Sequence, residues 1–100
     1  MKVSIGEAVI LAAEISLLLE RICHKVEIVG TIRQGRATVE EIELVAVPKD
    51  LKEFGKEIDK VFTQVLEHDQ HELVARYEGM KVIVTKTESM AWNFAIKEAV

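Results

Sequence analysis

The chain has 100 residues, 49% hydrophobic and 30% charged, with one proline and five glycines; this suffices for one core and excludes a disordered chain, so a single domain over residues 1–100 is expected. Lys and Arg number 13 against 17 Asp and Glu, a formal charge of -4, and such a domain lacks the basic surface that non-specific nucleic-acid binding requires. The single cysteine, Cys23, excludes an intrachain disulfide and fits a reducing cytoplasm.

The first element in the chain is a helix. Ser4 followed by Glu7 has the spacing of a capping box, and the apolar run beyond it predicts a helix over 5–23. Glu14 interrupts that run and no small-residue cleavage site follows, which argues against a signal peptide or a membrane span. Glu7, Glu14 and Arg21 form a narrow polar stripe, and the rest of the circumference is largely Ile, Val, Leu and Ala. The favoured reading of this wide apolar surface is burial between the sheet and another helix; the other is a surface for oligomerisation or a partner protein.

A strand over 25–29 and a second over 39–47, closed by Pro48, flank a polar loop bounded by Gly30 and Gly35. Glu41 and Glu43 lie one residue apart on the second strand and so share a face, with Ile42 and Leu44 on the other. Asp50 caps a helix predicted over 51–67 with apolar positions Leu51, Phe54, Ile58, Val61, Phe62 and Val65. Strands over 72–77 and 80–85 are joined by the two-residue turn Glu78-Gly79. That turn sets Glu72 opposite Thr85, on the face of Ile83. Thr87 or Ser89 caps a closing helix through Lys97, whose Trp92 and Phe94 are expected in the core.

The run Gly30-Thr31-Ile32-Arg33-Gln34-Gly35-Arg36, then Thr38-Val39 and Glu41-Ile42-Glu43-Leu44, resembles the nucleotidyltransferase palm motif of the family X (polymerase beta-like) DNA polymerases. In that family a glycine-serine loop with two arginines and a glycine leads into an aspartate-x-aspartate strand. Gly79-Met80-Lys81-Val82-Ile83 is similar to the strand bearing the family's third metal-site carboxylate, and Trp92 follows Ile83 at the family's spacing. The resemblance implies an α+β nucleotidyltransferase fold, a mixed four-stranded sheet with helices in the order α-β-β-α-β-β-α. It implies Mg²⁺, or Mn²⁺, held by Glu41 and Glu43, and a nucleoside triphosphate at Gly30, Thr31, Arg33 and Arg36.

Several letters depart from the family pattern. Glu41 and Glu43 are each a methylene longer than aspartate, and Ile83 stands where the third carboxylate belongs. Gln34 replaces an arginine, and Glu40 replaces a glycine near the triphosphate. Glu72 is the one carboxylate whose register offers a replacement ligand. The residues therefore leave two expectations: metal-dependent nucleotidyl transfer or nucleotide binding, or an inactive module acting in protein–protein interaction or oligomerisation. Small nucleotidyltransferases of this type work with helical partner proteins, so the resemblance points to such a partner, or a homodimer, at the first helix. The family continues past the equivalent of Val100 into elements that hold the sugar and base, so whether the chain is a fragment stays open. His68 with His71, and Cys23 with His24, lack the ligand count of a zinc site and read as ordinary helix-terminal or surface residues.

Overall fold

The computed structural model describes residues 2–99. Its elements run β1 (Val3–Ser4), α1 (Ile5–Glu20), β2 (Cys23–Val29), β3 (Thr38–Val39), β4 (Glu41–Pro48), α2 (Leu51–Val61), β5 (Gln64–His68), β6 (Glu72–Tyr77), β7 (Met80–Lys86), a 3₁₀ turn (Ser89–Ala91) and α3 (Trp92–Ala99). The fold is α+β. A mixed five-stranded sheet in the order β2-β4-β7-β6-β5 carries it, with β4 and β7 parallel and every other neighbouring pair antiparallel. The short strands β1 and β3 pair separately.

Local chemistry sets the helix starts. Ser4 Oγ accepts the Glu7 amide at 3.3 Å and Asp50 Oδ1 accepts the Glu53 amide at 2.9 Å, each satisfying a donor that the first helical turn leaves free. Helix α1 ends sooner than its apolar run suggests. The chain turns through an Ile22 amide to Leu19 carbonyl bond of 3.0 Å, and Cys23 already pairs with Pro48 as the first residue of β2.

The larger departure follows α2. The helix expected to reach residue 67 stops at Val61, and residues 64–68 form β5, so the main sheet has five strands rather than four; with the short β1 and β3 the expected order α-β-β-α-β-β-α gains three strands. Phe62 turns to an extended conformation (φ -101°, ψ 147°), and the Thr63 amide then donates to the Arg76 carbonyl at 2.9 Å. Pairing with β6 supplies the backbone partners that another helical turn would have given, and Phe62 still reaches the core. A register shift at Leu66 leaves that side chain exposed on the sheet's edge.

One face of the sheet forms the core. Ile42, Leu44 and Ala46 of β4, Val82 and Val84 of β7, and Leu73 and Ala75 of β6 meet Ala8, Ala12, Ile15 and Leu19 of α1 and Phe54 and Ile58 of α2. Helix α1 is not sandwiched between the sheet and another helix, however. Ile10 is 62% and Leu17 66% exposed, and Val9 is exposed beside them. Tyr77 Oη donates to Glu14 Oε1 at 2.9 Å, fixing the inner flank of α1 toward β6.

The opposite face presents Glu41, Glu43, Val45 and Val47, and α3 packs against β4. Trp92 is half-buried with the Lys25 ammonium 5.4 Å from its ring centre, whereas Phe94, expected in the core, is 68% exposed. Among the described residues no helix is long and apolar enough to cross a membrane.

Candidate functional site

The polar loop between β2 and β4 is built by its own backbone. The Gln34 amide donates to the Gly30 carbonyl and the Gly35 amide to the Ile32 carbonyl, both at 3.0 Å, coiling the loop tightly. Gly30 has φ +72°, a conformation that residues with a side chain seldom adopt. It is also the point where the Glu43 carboxylate lies against the chain: a Cβ on Gly30 would fall 1.8 Å from Glu43 Oε2. A side chain at residue 30 would force the Glu43 carboxylate to turn away from the loop.

Beside that contact lies a cleft of about 430 Å³ lined by Lys2, Thr31, Arg36, Glu40, Glu41 and Glu43, among others. The structure thus brings together Gly30, Thr31, Arg36, Glu41 and Glu43. Thr31 Oγ1 donates to the Glu41 carbonyl at 3.5 Å, tying the loop to the start of β4. Arg36 Nε donates to Gln34 Oε1 at 3.3 Å. Glu40 stands at the rim with its side chain mostly in solvent, 3.6 Å from Lys2 Nζ.

Arg33 is placed elsewhere. Its guanidinium is held by Glu27 of β2 at 2.8 Å and does not line the cleft. A bidentate-capable guanidinium finds the nearer carboxylate on its own side of the loop.

Electrostatics in the cleft are uneven. Burial first, and the neighbouring Glu41 carboxylate second, push the Glu43 carboxyl above its ordinary value. Glu41 has a counter-charge, because parallel pairing of β4 with β7 sets Lys81 beside it and Lys81 Nζ lies 3.3 Å from Glu41 Oε2. The sequence reading missed Lys81. The hairpin fixes its face but not its strand neighbour, which depends on the parallel docking of β7 onto β4.

Ile83 is the strand neighbour of Glu43 on the same face. Glu72 does pair with Thr85, as the turn at Glu78-Gly79 requires, but it lies on β6, two strands from Glu43. Among the described residues no group of three or more His, Cys, Asp or Glu side chains gathers to hold a metal ion. Glu41 and Glu43 are carboxylates on one strand face, the oxygen type that a hard cation prefers, and Glu41 is already paired with Lys81. They do not fit a pair of cations, because Ile83 supplies no oxygen.

The other residues singled out from the sequence go to different places. His68 Nε2 lies 2.7 Å from Lys86 Nζ, and Lys86 also donates to the Asp69 carbonyl and sits 5.5 Å from the Phe54 ring centre. His71 lines a separate cleft of about 620 Å³ with His24, Pro48 and Thr87. Cys23 is buried, and burial pushes its thiol up to about 12 against a smaller opposing pull from Lys49. Comparison with known protein families and with curated proteins returns no match to this sequence.

Proposed function

We propose that the chain is a nucleotidyltransferase-like palm domain whose cleft takes the phosphates of a nucleoside triphosphate together with one divalent cation, Mg²⁺ or Mn²⁺. The observation that carries this reading is the seating of the Glu43 carboxylate against Gly30, partly stripped of water and beside Glu41. A desolvated pair of carboxylates is eased by added positive charge, and the loop hydroxyl and Arg36 stand where phosphate oxygens completing the cation's shell would be received.

When bound, the cation would neutralise phosphate charge. Glu41 and Glu43 would hold it, Thr31 would donate to a phosphate oxygen, and Arg36 would swing from Gln34 to the polyphosphate. Glu40, already balanced by Lys2, limits how far negative charge can enter. Binding is the activity these residues support. Transfer to a hydroxyl would need a group beside Glu43 to hold a second cation or take the proton, and Ile83 does neither.

Ile83 also favours a second reading, a palm-like module without catalysis that acts through protein contact; the exposed face of α1 is consistent with it.

An amide-resolved NMR titration with Mn²⁺, with and without each nucleoside triphosphate, separates the two. Saturable broadening centred on residues 30–36 and 41–43, abolished in Glu43→Gln, is the expected result. No saturable change at millimolar nucleotide overturns the nucleotide reading and leaves the second.

A further inference from the structure

We propose that this chain pairs with a second copy of itself through β2, edge to edge and antiparallel, with the two α1 helices side by side across the same two-fold axis. The inference is independent of what the cleft binds.

Strand β2 is an end strand of the sheet, and among the described residues none pairs with its outer side. Its outward amides and carbonyls are an open template for another strand. A bulge interrupts the other edge, β5, at Leu66, whereas β2 pairs with β4 without a shift from Lys25 to Val29.

Charge then selects the occupant and the register. A two-fold axis perpendicular to the sheet keeps each side chain on its own face, so the axis must pass through a residue. Centred on Lys25 or on Glu27, the pairing sets two like charges directly opposite each other. Centred on Val26, it sets Lys25 of each copy opposite Glu27 of the other on the face that carries Trp92, where each Glu27, already holding Arg33 of its own chain at 2.8 Å, would bridge two cations. A strand that complements itself at one register and repels itself at the adjacent ones is suited to a copy of itself.

Helix α1 agrees with the same axis. Its inner flank is fixed by the Glu14–Tyr77 bond, and its exposed apolar residues Val9, Ile10 and Leu17 lie on the outer and β2-edge sides. From Cys23 to Val26 is about 10 Å along a strand. The same distance back from Leu19 along α1 spans roughly six to seven residues and reaches Ala12 and Ala13. The axis through Val26 therefore passes α1 at its small side chains, where two antiparallel helices approach to about 8–10 Å. In that arrangement Val9 and Ala13 of the two copies lie nearest the axis, while Ile10 and Leu17, opposite the buried stripe of Ala8, Ala12, Ile15 and Leu19, stay outside the contact.

Sedimentation velocity over a concentration series tests this on the chain and on Lys25→Glu, Glu27→Lys and the double exchange Lys25→Glu/Glu27→Lys. Both side chains are at the surface or half-buried, and circular dichroism checks that each variant folds. The expected result is a dimer that each single exchange weakens by about tenfold or more and the double exchange restores in part, since it re-forms both pairs in reverse but takes from Arg33 its Glu27 partner. Ala13→Arg, which wedges the helices apart at the axis, is expected to dissociate it as well. A chain that is monomeric to millimolar concentration, or a dimer indifferent to both single exchanges, overturns the proposal.

Discussion

Ile83 and Glu43 are strand neighbours on β7 and β4, side by side on one face of the sheet, so an apolar side chain occupies the place from which a further oxygen would reach the Glu43 carboxylate. Ile83→Asp is therefore expected to tighten Mn²⁺ binding by about tenfold, roughly 1.4 kcal/mol. Without the ion it adds a third carboxylate to an already crowded pair, and a loss of about 1–2 kcal/mol in stability is expected. Calorimetric titration with Mn²⁺ and melting with and without the ion check both effects. Unchanged Mn²⁺ affinity would remove the cation from the proposed function.

Lys81 acts in the opposite sense. Its ammonium already sits on Glu41, so an incoming cation must displace it. The pair is partly exposed and worth no more than about 1 kcal/mol. Lys81→Met is accordingly expected to tighten Mn²⁺ binding by up to about fivefold in the absence of nucleotide. Weaker binding in that titration would show that Lys81 supports the site rather than competing for it.

Gly30→Ala tests the contact between loop and strand. The left-handed backbone alone costs about 1–2 kcal/mol for a residue with a side chain. Displacing the Glu43 carboxylate adds to that cost. A melting temperature lower by about 10 °C is expected for a domain of this size. Combining it with Glu43→Ala is expected to recover part of the loss, because the carboxylate that the new methyl group strikes is then gone.

Stability toward acid should depend on His68. Burial first and the Lys86 ammonium second hold its imidazole below the ordinary value of 6.5. The unfolded chain therefore takes up this proton at a higher pH than the folded one, and stability falls as the pH drops through 6.5 toward the folded value. Urea midpoints at about pH 7.5 and about pH 5 are expected to differ in that direction, and His68→Gln to reduce the difference.

Cys23 gives the alkaline counterpart. With its thiol pushed up to about 12 from 9.0, the folded state keeps a proton that the unfolded chain releases, so stability falls as pH rises through that window. At neutral pH the buried thiol is expected to resist aromatic disulfide reagents until denaturant opens the core.

Much of the architecture was legible in local chemistry. Ser4 and Asp50 cap the helices as their spacing requires, and Glu78-Gly79 turns the hairpin with both residues at positive φ (50° and 83°), which sets Glu72 opposite Thr85. Strand β5 was not legible, because Val61, Phe62 and Val65 continue the helical spacing of α2 and only pairing with β6 draws them into the sheet. In the candidate site, Gly30, Thr31, Arg36, Glu41 and Glu43 are close in sequence, and one loop and one strand suffice to gather them. The neighbours Lys81 and Ile83, and the diversion of Arg33 to Glu27, depend on which strands lie next to one another, and no local pattern encodes that.

The parallel pairing of β4 with β7 bears on how the domain assembles. These strands lie side by side in the sheet, yet Lys81 follows its neighbour Glu41 by roughly forty residues. During synthesis β2 and β4 can close early as an antiparallel pair, while the second edge of β4, rich in valine, leucine and alanine, waits for β7 to emerge. The β6–β7 hairpin is local around Glu78-Gly79, whereas its docking onto β4 is a long-range closure, the kind of contact that slows folding. Until it docks, the nascent chain carries an unpaired apolar strand, and this interval, more than the finished domain, is where aggregation or a chaperone competes.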